Sequence, residues 1–193
     1  MQAHSTYRVG VLALQGAVSE HLAQLDALGV NAVAVKKAEQ LATLDGLILP
    51  GGESTAIGKL MGEYGFIVAI QAFAAAGKPI FGTCAGMILL AKQIHGDETA
   101  HLGLMDIEVQ RNGFGRQIDS FQTALCVKGI SGTVPAIFIR APYIRRLLSD
   151  QVEVLATVED RAVLVRQNNL LACAFHPELS QDQQILKLFL AMF

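Results

Sequence analysis

Pro79-Ile80-Phe81-Gly82-Thr83-Cys84-Ala85-Gly86-Met87-Ile88-Leu89-Leu90-Ala91 is the stretch from which the rest of the chain can be read. A short apolar run, Pro79 to Phe81, meets a G-x-C-x-G pentapeptide, and a helix-like run from Met87 to Ala91 follows. Strand, tight turn and helix form the repeating unit of a parallel α/β sheet. With a cysteine at the centre of the turn, the unit is the thiol counterpart of the nucleophile elbow. Glycines let the backbone turn sharply there and keep side chains away from a substrate. The thiol would sit at the start of the following helix, whose dipole favours thiolate, and in such sites the ordinary cysteine pKa of about 8.5 falls by a unit or more. Two readings stand side by side: an activated nucleophile, or a structural cysteine buried in a Gly-rich turn.

Working outward, the same alternation recurs. Val9-Gly10-Val11-Leu12-Ala13-Leu14 is a continuous apolar run, as expected of a strand buried on both faces. Val18, Leu22, Leu25 and Leu28 then mark one face of a helix that Gly29 ends. Val30 to Val35 and Gly46 to Leu49 read as further strands, the latter stopped by Pro50-Gly51-Gly52, and 60–76 reads as helical segments broken near Gly65. The pattern predicts an α/β fold with a parallel sheet covered on both faces. From Met105 to Phe175 the chain changes character. Strands are expected at 106–109, 124–127, 136–139, 152–158, 162–165 and 170–175, several of them antiparallel because little chain remains for crossover helices. Ser180 to Phe193 reads as a closing helix, with Ser180 and Gln183 at capping-box spacing and Ile185, Leu186, Leu188, Phe189 and Met192 on its apolar face. No linker or repeat interrupts residues 1–193, so one domain is expected.

Composition narrows the function classes. At 193 residues, 52% hydrophobic and 17% charged, the chain is long and apolar enough for a substantial core. A net charge of −2 offers no electrostatic case for nucleic acid or an anionic membrane. Three cysteines, Cys84, Cys126 and Cys173, form no disulfide framework and suit a reducing cytoplasm. No basic segment precedes a long apolar stretch, so neither a signal peptide nor a membrane span is expected.

A thiolate that attacks a carbonyl needs a base for its proton and a third group to orient that base. His176-Pro177-Glu178, just after the apolar run 170–175, supplies both types. In extended backbone residues two apart share a side, so Glu178 can reach the imidazole of His176; the alternative for Glu178 is a solvated carboxylate near the last helix. His4, His21, His95 and His101 read as surface residues, His21 on the polar side of the first helix, and none has metal-ligand spacing with a cysteine. Cys126 and Cys173, inside apolar strands, read as small core residues. Acyl chemistry also needs donors for a developing oxyanion. The turn Pro50-Gly51-Gly52-Glu53-Ser54-Thr55 and the Cys84 turn both follow parallel strands, so they lie on one sheet edge. The backbone N–H groups of Gly52 and Ala85 are the candidate hole. The turn is equally readable as an ordinary helix start capped by Ser54 or Thr55. It lacks the spacing of a phosphate-binding loop.

Together these segments resemble the class I glutamine amidotransferases of the Cys-His-Glu type, and more narrowly the glutaminase subunits of pyridoxal 5'-phosphate synthase. The resemblance is carried by Leu14-Gln15-Gly16-Ala17, Leu49-Pro50-Gly51-Gly52-Glu53-Ser54-Thr55, Gly82 to Gly86, and Arg111-Asn112-Gly113-Phe114-Gly115-Arg116-Gln117. Asp119-Ser120-Phe121, Phe138-Ile139-Arg140-Ala141-Pro142 and Phe175-His176-Pro177-Glu178-Leu179 complete it. It departs from that pattern at Gly113, where serine is expected. It implies a flavodoxin-like three-layer α/β/α fold with extra antiparallel strands in the C-terminal half. It also implies a glutaminase in which Cys84 attacks the side-chain amide of L-glutamine, His176 moves the proton and Glu178 orients His176. Gly52, Glu53, Ser54, Arg111, Ile139 and Arg140 would hold the glutamine, although Arg111 and Arg140 also suit structural ion pairs.

The resemblance further implies no metal and no cofactor of the chain's own. Its ammonia would pass to a separate synthase subunit, in a large hetero-oligomer, for pyridoxal 5'-phosphate assembly. Gln15-Gly16 is a candidate docking contact, or an amide that satisfies a loop. A stand-alone cysteine hydrolase or peptidase on the same scaffold, and a non-catalytic interaction protein, remain alternatives.

Overall fold

The computed structural model describes residues 6–96, 99–112 and 120–193. His4, Asp97 and Glu98, and most of the Arg111–Gln117 segment, lie outside the described residues. The N-terminal half alternates strand and helix: β1 (Arg8–Leu12), α1 (Val18–Ala27), β2 (Asn31–Val35), β3 (Gly46–Leu49), α2 (Ser54–Glu63), α3 (Phe66–Ala75), β4 (Ile80–Thr83) and α4 (Ala85–Leu90). Then come β5 (Ala91–Ile94), β6 (Met105–Gln110), β7 (Ser120–Cys126), β8 (Thr133–Ile139), β9 (Tyr143–Leu147), β10 (Glu153–Val158), β11 (Arg161–Gln167) and β12 (Leu170–Cys173). The C-terminal helix is α5 (Gln184–Leu190).

Seven strands form the main sheet in the order β10-β11-β12-β4-β3-β1-β2. From β2 to β12 the neighbours are parallel, while β11 and β10 add on antiparallel. The unbroken apolar runs have the expected cause: β3, β4 and β12 are central and buried at every position, whereas β2, at the edge, buries only its last residue fully. Steps from β1 to β2 and from β3 to β4 run in opposite directions across the sheet. Right-handed crossovers therefore place α1 on one face and α2 and α3 on the other, giving three layers. Phe66, Phe81, Phe175 and Phe189 are fully buried, each contributing on the order of 2 kcal/mol of hydrophobic stabilisation.

The second half holds two smaller sheets, β5-β6-β9 and the hairpin β7-β8. The hairpin packs against the core through Phe138, which stacks on Phe121 with ring centroids 4.5 Å apart and meets Phe175 at 5.6 Å.

Several expectations need correction. The strands β5 and β9 were not anticipated: Ala91-Lys92-Gln93-Ile94 is short and begins where the elbow helix was still expected, and β9 carries two arginines on exposed positions. The closing helix is shorter than 180–193, and no capping box forms. Asp182 accepts the Gln184 N–H at 2.8 Å, while the Ser180 hydroxyl oxygen accepts the Asp182 N–H at 3.0 Å. Cys126 is exposed at the end of the alternating strand β7, so it is not a core residue, whereas Cys173 is fully buried. No described helix is long and apolar enough to cross a membrane.

Candidate active site

The carboxyl ends of β1, β3, β4 and β12 meet on one edge of the sheet. Chain order reverses between β1 and β3, which is where parallel sheets open a crevice. The segments after these strands bring Gln15-Gly16, Gly51-Gly52, Cys84 and His176 together there.

Cys84 holds φ 49° and ψ −105°, a conformation that non-glycine residues adopt only under constraint from their surroundings. Two constraints are evident. Its N–H donates to the Cys173 carbonyl at 2.8 Å, and its carbonyl accepts the Met87 N–H at 3.0 Å as the helix begins. The flanking glycines act by size. A methyl group on Gly82 would stand 2.5 Å from the Gly86 carbonyl oxygen, and one on Gly86 would overlap the Leu49 carbonyl oxygen. Close packing of β3, β4 and α4 therefore requires glycine at both positions, and it presents the thiol at the strand end.

His176 is fixed from two sides. Its N–H donates to the Ile137 carbonyl of β8 at 2.8 Å. Ring Nδ1 donates to Glu178 Oε1 at 2.6 Å, since an ionised carboxylate can only accept. The Cys84 side chain stands close enough to act on the ring electrostatically, with its sulfur 4.0 Å from the Ile139 carbonyl oxygen. Burial opposes charge on this ring, but the Cys84 sulfur and the Glu178 carboxylate outweigh it and raise the pKa from 6.5 to about 10. The site is thus electrostatically built for an imidazolium beside the sulfur. The route from His176 to Glu178 differs from the extended one expected: Pro177–Leu179 is a short 3-10 turn with proline in its first turn, which folds the carboxylate back under the ring.

In front of the thiol lies a cavity of about 390 Å³, within the range of about 300–1,000 Å³ usual for small-molecule sites. Gly52, Glu53, Ser54, Cys84, Ala85, Arg111, Ile139, Arg140 and His176 all line it. Glu178 is absent from the lining and sits buried behind His176. Ile88, Asn112 and Pro142 complete the wall and were not anticipated. Arg111 Nη2 pairs with Glu53 Oε1 at 3.1 Å, so the ion pair expected as an alternative for Arg111 forms inside the cavity wall. Ser54 opens α2 without capping it, and neither it nor Thr55 acts as expected: the cap position is Glu53, whose side chain makes no capping bond. The exposed Gln15 satisfies this turn, its side-chain oxygen accepting the Glu53 N–H at 2.8 Å. Gly51 lies so close to the imidazole that a methyl group there would come within 2.5 Å of His176 Cε1.

Two polar residues behind the site escaped the sequence reading. His21, expected at the surface, is 1% exposed, and its Nε2 lies 3.1 Å from Thr83 Oγ1 and 3.6 Å from Glu178 Oε2. Gln24 donates from Nε2 to the carbonyls of Pro177 and Ser180, both at 2.8 Å. Their signal was helical phase: with Val18, Leu22, Leu25 and Leu28 inward, positions 21 and 24 fall within or beside the same stripe. His101 also proves half-buried, its ring packed so tightly on Gly58 that a methyl group there would overlap it, whereas His95 is exposed beside Glu108 and Arg145.

A sequence profile described as "SNO glutamine amidotransferase family" matches residues 11–193. The chain belongs to that family. Among this family's members, the chain is 62% identical over 192 residues to the pyridoxal 5'-phosphate synthase subunit PdxT of Pasteurella multocida (strain Pm70), covering 100% of both. It is 56% identical over 185 residues to the subunit of the same name from Brevibacillus brevis (strain 47 / JCM 6285 / NBRC 100599), covering 96% of each. A crystal structure described as a glutamine amidotransferase superposes with a TM-score of 0.91 at 49% identity, over 95% of this chain and 97% of that one.

Proposed function

We propose that residues 1–193 act as one glutamine amidotransferase domain that hydrolyses L-glutamine to L-glutamate and ammonia, the glutaminase subunit of a pyridoxal 5'-phosphate synthase. The observation that carries this reading is the buried run Cys84–His176–Glu178 at the floor of a cavity sized for a small molecule, in a member of this family.

The geometry suggests the course of the reaction. The Cys84 thiolate adds to the side-chain amide carbon of glutamine, and the carbonyl oxygen takes up negative charge. The backbone N–H groups of Gly52 and Ala85 are the donors assigned to it; Ala85 opens α4, so its N–H has no partner within the helix. His176 gives its proton to the departing nitrogen, ammonia leaves, and a γ-glutamyl thioester remains on Cys84. Water, deprotonated by His176, then attacks the thioester; the tetrahedral intermediate collapses, glutamate departs and the thiolate returns. Glu178, fixed in the core, holds the imidazole in the tautomer that both steps need.

Glutamine carries a carboxylate and an ammonium group at its far end. The Arg111–Glu53 pair in the cavity wall offers one charge for each, with Arg111 suited to a bidentate carboxylate contact. Ser54, Ile139 and Arg140 would close round the substrate. The ammonia would pass to a synthase subunit within a large hetero-oligomer, and Gln15 stands exposed on the same edge of the sheet as a candidate contact. Three free cysteines suit a cytoplasmic location.

The test is glutamate release from glutamine, measured with and without the synthase subunit of a close relative. A strong rise on addition of that subunit is expected. A rate indifferent to it would instead support a stand-alone hydrolase, and no glutamate under either condition would overturn the reading.

A further inference from the structure

The Glu178 carboxylate has two oxygens in very different circumstances. Oε1 binds His176 Nδ1 at 2.6 Å. Oε2 is buried and makes no hydrogen bond, the one buried side-chain oxygen or nitrogen of that kind among the described residues. Buried polar atoms normally have partners, so such an atom requires an explanation. The basic group facing it is His21 Nε2, 3.6 Å away, on a ring as fully enclosed as the carboxylate itself.

We propose that His21 is a positioning residue for the glutaminase reaction: its neutral ring, protonated at Nε2, turns an N–H toward Glu178 Oε2 and holds the carboxylate in line with His176. This rests on the reading of the chain as a glutaminase. Thr83 Oγ1 lies 3.1 Å from the same nitrogen. With the proton on Nε2, the N–H donates to the threonine oxygen and presents its positive end to the carboxylate 3.6 Å away. With the proton on Nδ1, a lone pair would face a buried carboxylate, which is unfavourable. Burial lowers the His21 pKa; the Glu178 charge opposes it, and the smaller influences of His176 and Glu20 oppose one another. Cys84 and Cys173 are the other titratable groups packed about the pair. Gln24 reinforces the same device one turn further along α1, clamping the backbone on either side of the acid at Pro177 and Ser180. The N-terminal helix thus fixes the acid from behind, and His21 is itself anchored to Thr83, the residue before the nucleophile.

The test has a part that needs no variant. Imidazole 15N shifts of the labelled wild-type chain at about pH 7.5 should show His21 neutral and Nε2-protonated; a charged ring or the Nδ1-protonated tautomer there would overturn the proposal. In the active complex with the synthase subunit, His21→Leu should lower kcat about 10–100-fold while KM for glutamine changes less than about threefold. His21→Gln, which keeps a donor, should recover most of the loss. In a Glu178→Gln background His21→Leu should cost nothing more. Multiplying losses, or a glutamine variant as impaired as the leucine one, would refute the assignment. If wild-type complex releases no glutamate, the functional reading fails, and the 15N spectrum still decides the role of His21.

Discussion

The two sides of His176 are built on opposite principles. Behind it, Glu178, His21, Thr83 and Gln24 are held in the core by contacts that leave almost no freedom. In front, the cavity wall opens to solvent at Gly52, Asn112, Ile139 and Arg140, and its charged pair, Glu53 and Arg111, retains 56% and 30% side-chain exposure. A base must keep one orientation through two proton transfers, and a buried carboxylate in low dielectric enforces that. A substrate must enter and leave, so its contacts stay accessible. The division predicts that changes behind the base alter turnover, and changes in front alter substrate affinity.

The largest effect should come from behind. Glu178→Gln should lower kcat roughly 10²–10⁴-fold, the range of a positioned acid–base device, with KM nearly unchanged; steady-state kinetics in which KM rises instead would break the division. In front, Arg111→Ala should raise KM roughly 10–100-fold and leave kcat within a few-fold, because a charge-assisted hydrogen bond contributes about 1.5–3 kcal/mol. A kcat defect of equal size would place Arg111 in the transition state.

Between the two sides, His176 titrates with its neighbours. Its pKa of about 10 stands above the ordinary 6.5, so the protonated ring stabilises the fold fully below about 6.5 and progressively less as pH climbs through 10. Denaturation midpoints of wild type and His176→Gln, measured across that window, should converge as pH rises; parallel curves would contradict the charged pair. Smallest of all, Cys126→Ser, at an exposed strand end away from both sides, should change stability by less than about 0.5 kcal/mol and leave kinetics alone.

The contrast also explains what the amino-acid sequence disclosed. Central strands such as Gly46–Leu49 and Ile80–Thr83 are legible because burial on both faces demands unbroken apolar runs. The Cys84 turn is legible because close packing admits only glycine at 82 and 86. His21 was missed because a polar residue in an amphipathic helix defaults to the solvent face, and only its tertiary partner, 157 positions away at Glu178, brings it inside. β5 and β9 were hidden for a related reason: each is short and mixes charges with apolar residues, and only their shared neighbour β6 makes them strands. Glu178 was placed beside His176 correctly, although a 3-10 turn and not extended backbone puts it there. Residue types reported the chemistry; long-range contacts supplied the geometry.

Covalent labelling tests the central claim most directly. The complex with the synthase subunit would be treated with a chloroketone analogue of glutamine and the modified peptide identified by mass spectrometry. A single adduct on Cys84, suppressed by excess glutamine and absent in Cys84→Ala, is the predicted result. Modification of the exposed Cys126 in preference to Cys84, or glutamate release that survives in Cys84→Ala, would contradict it.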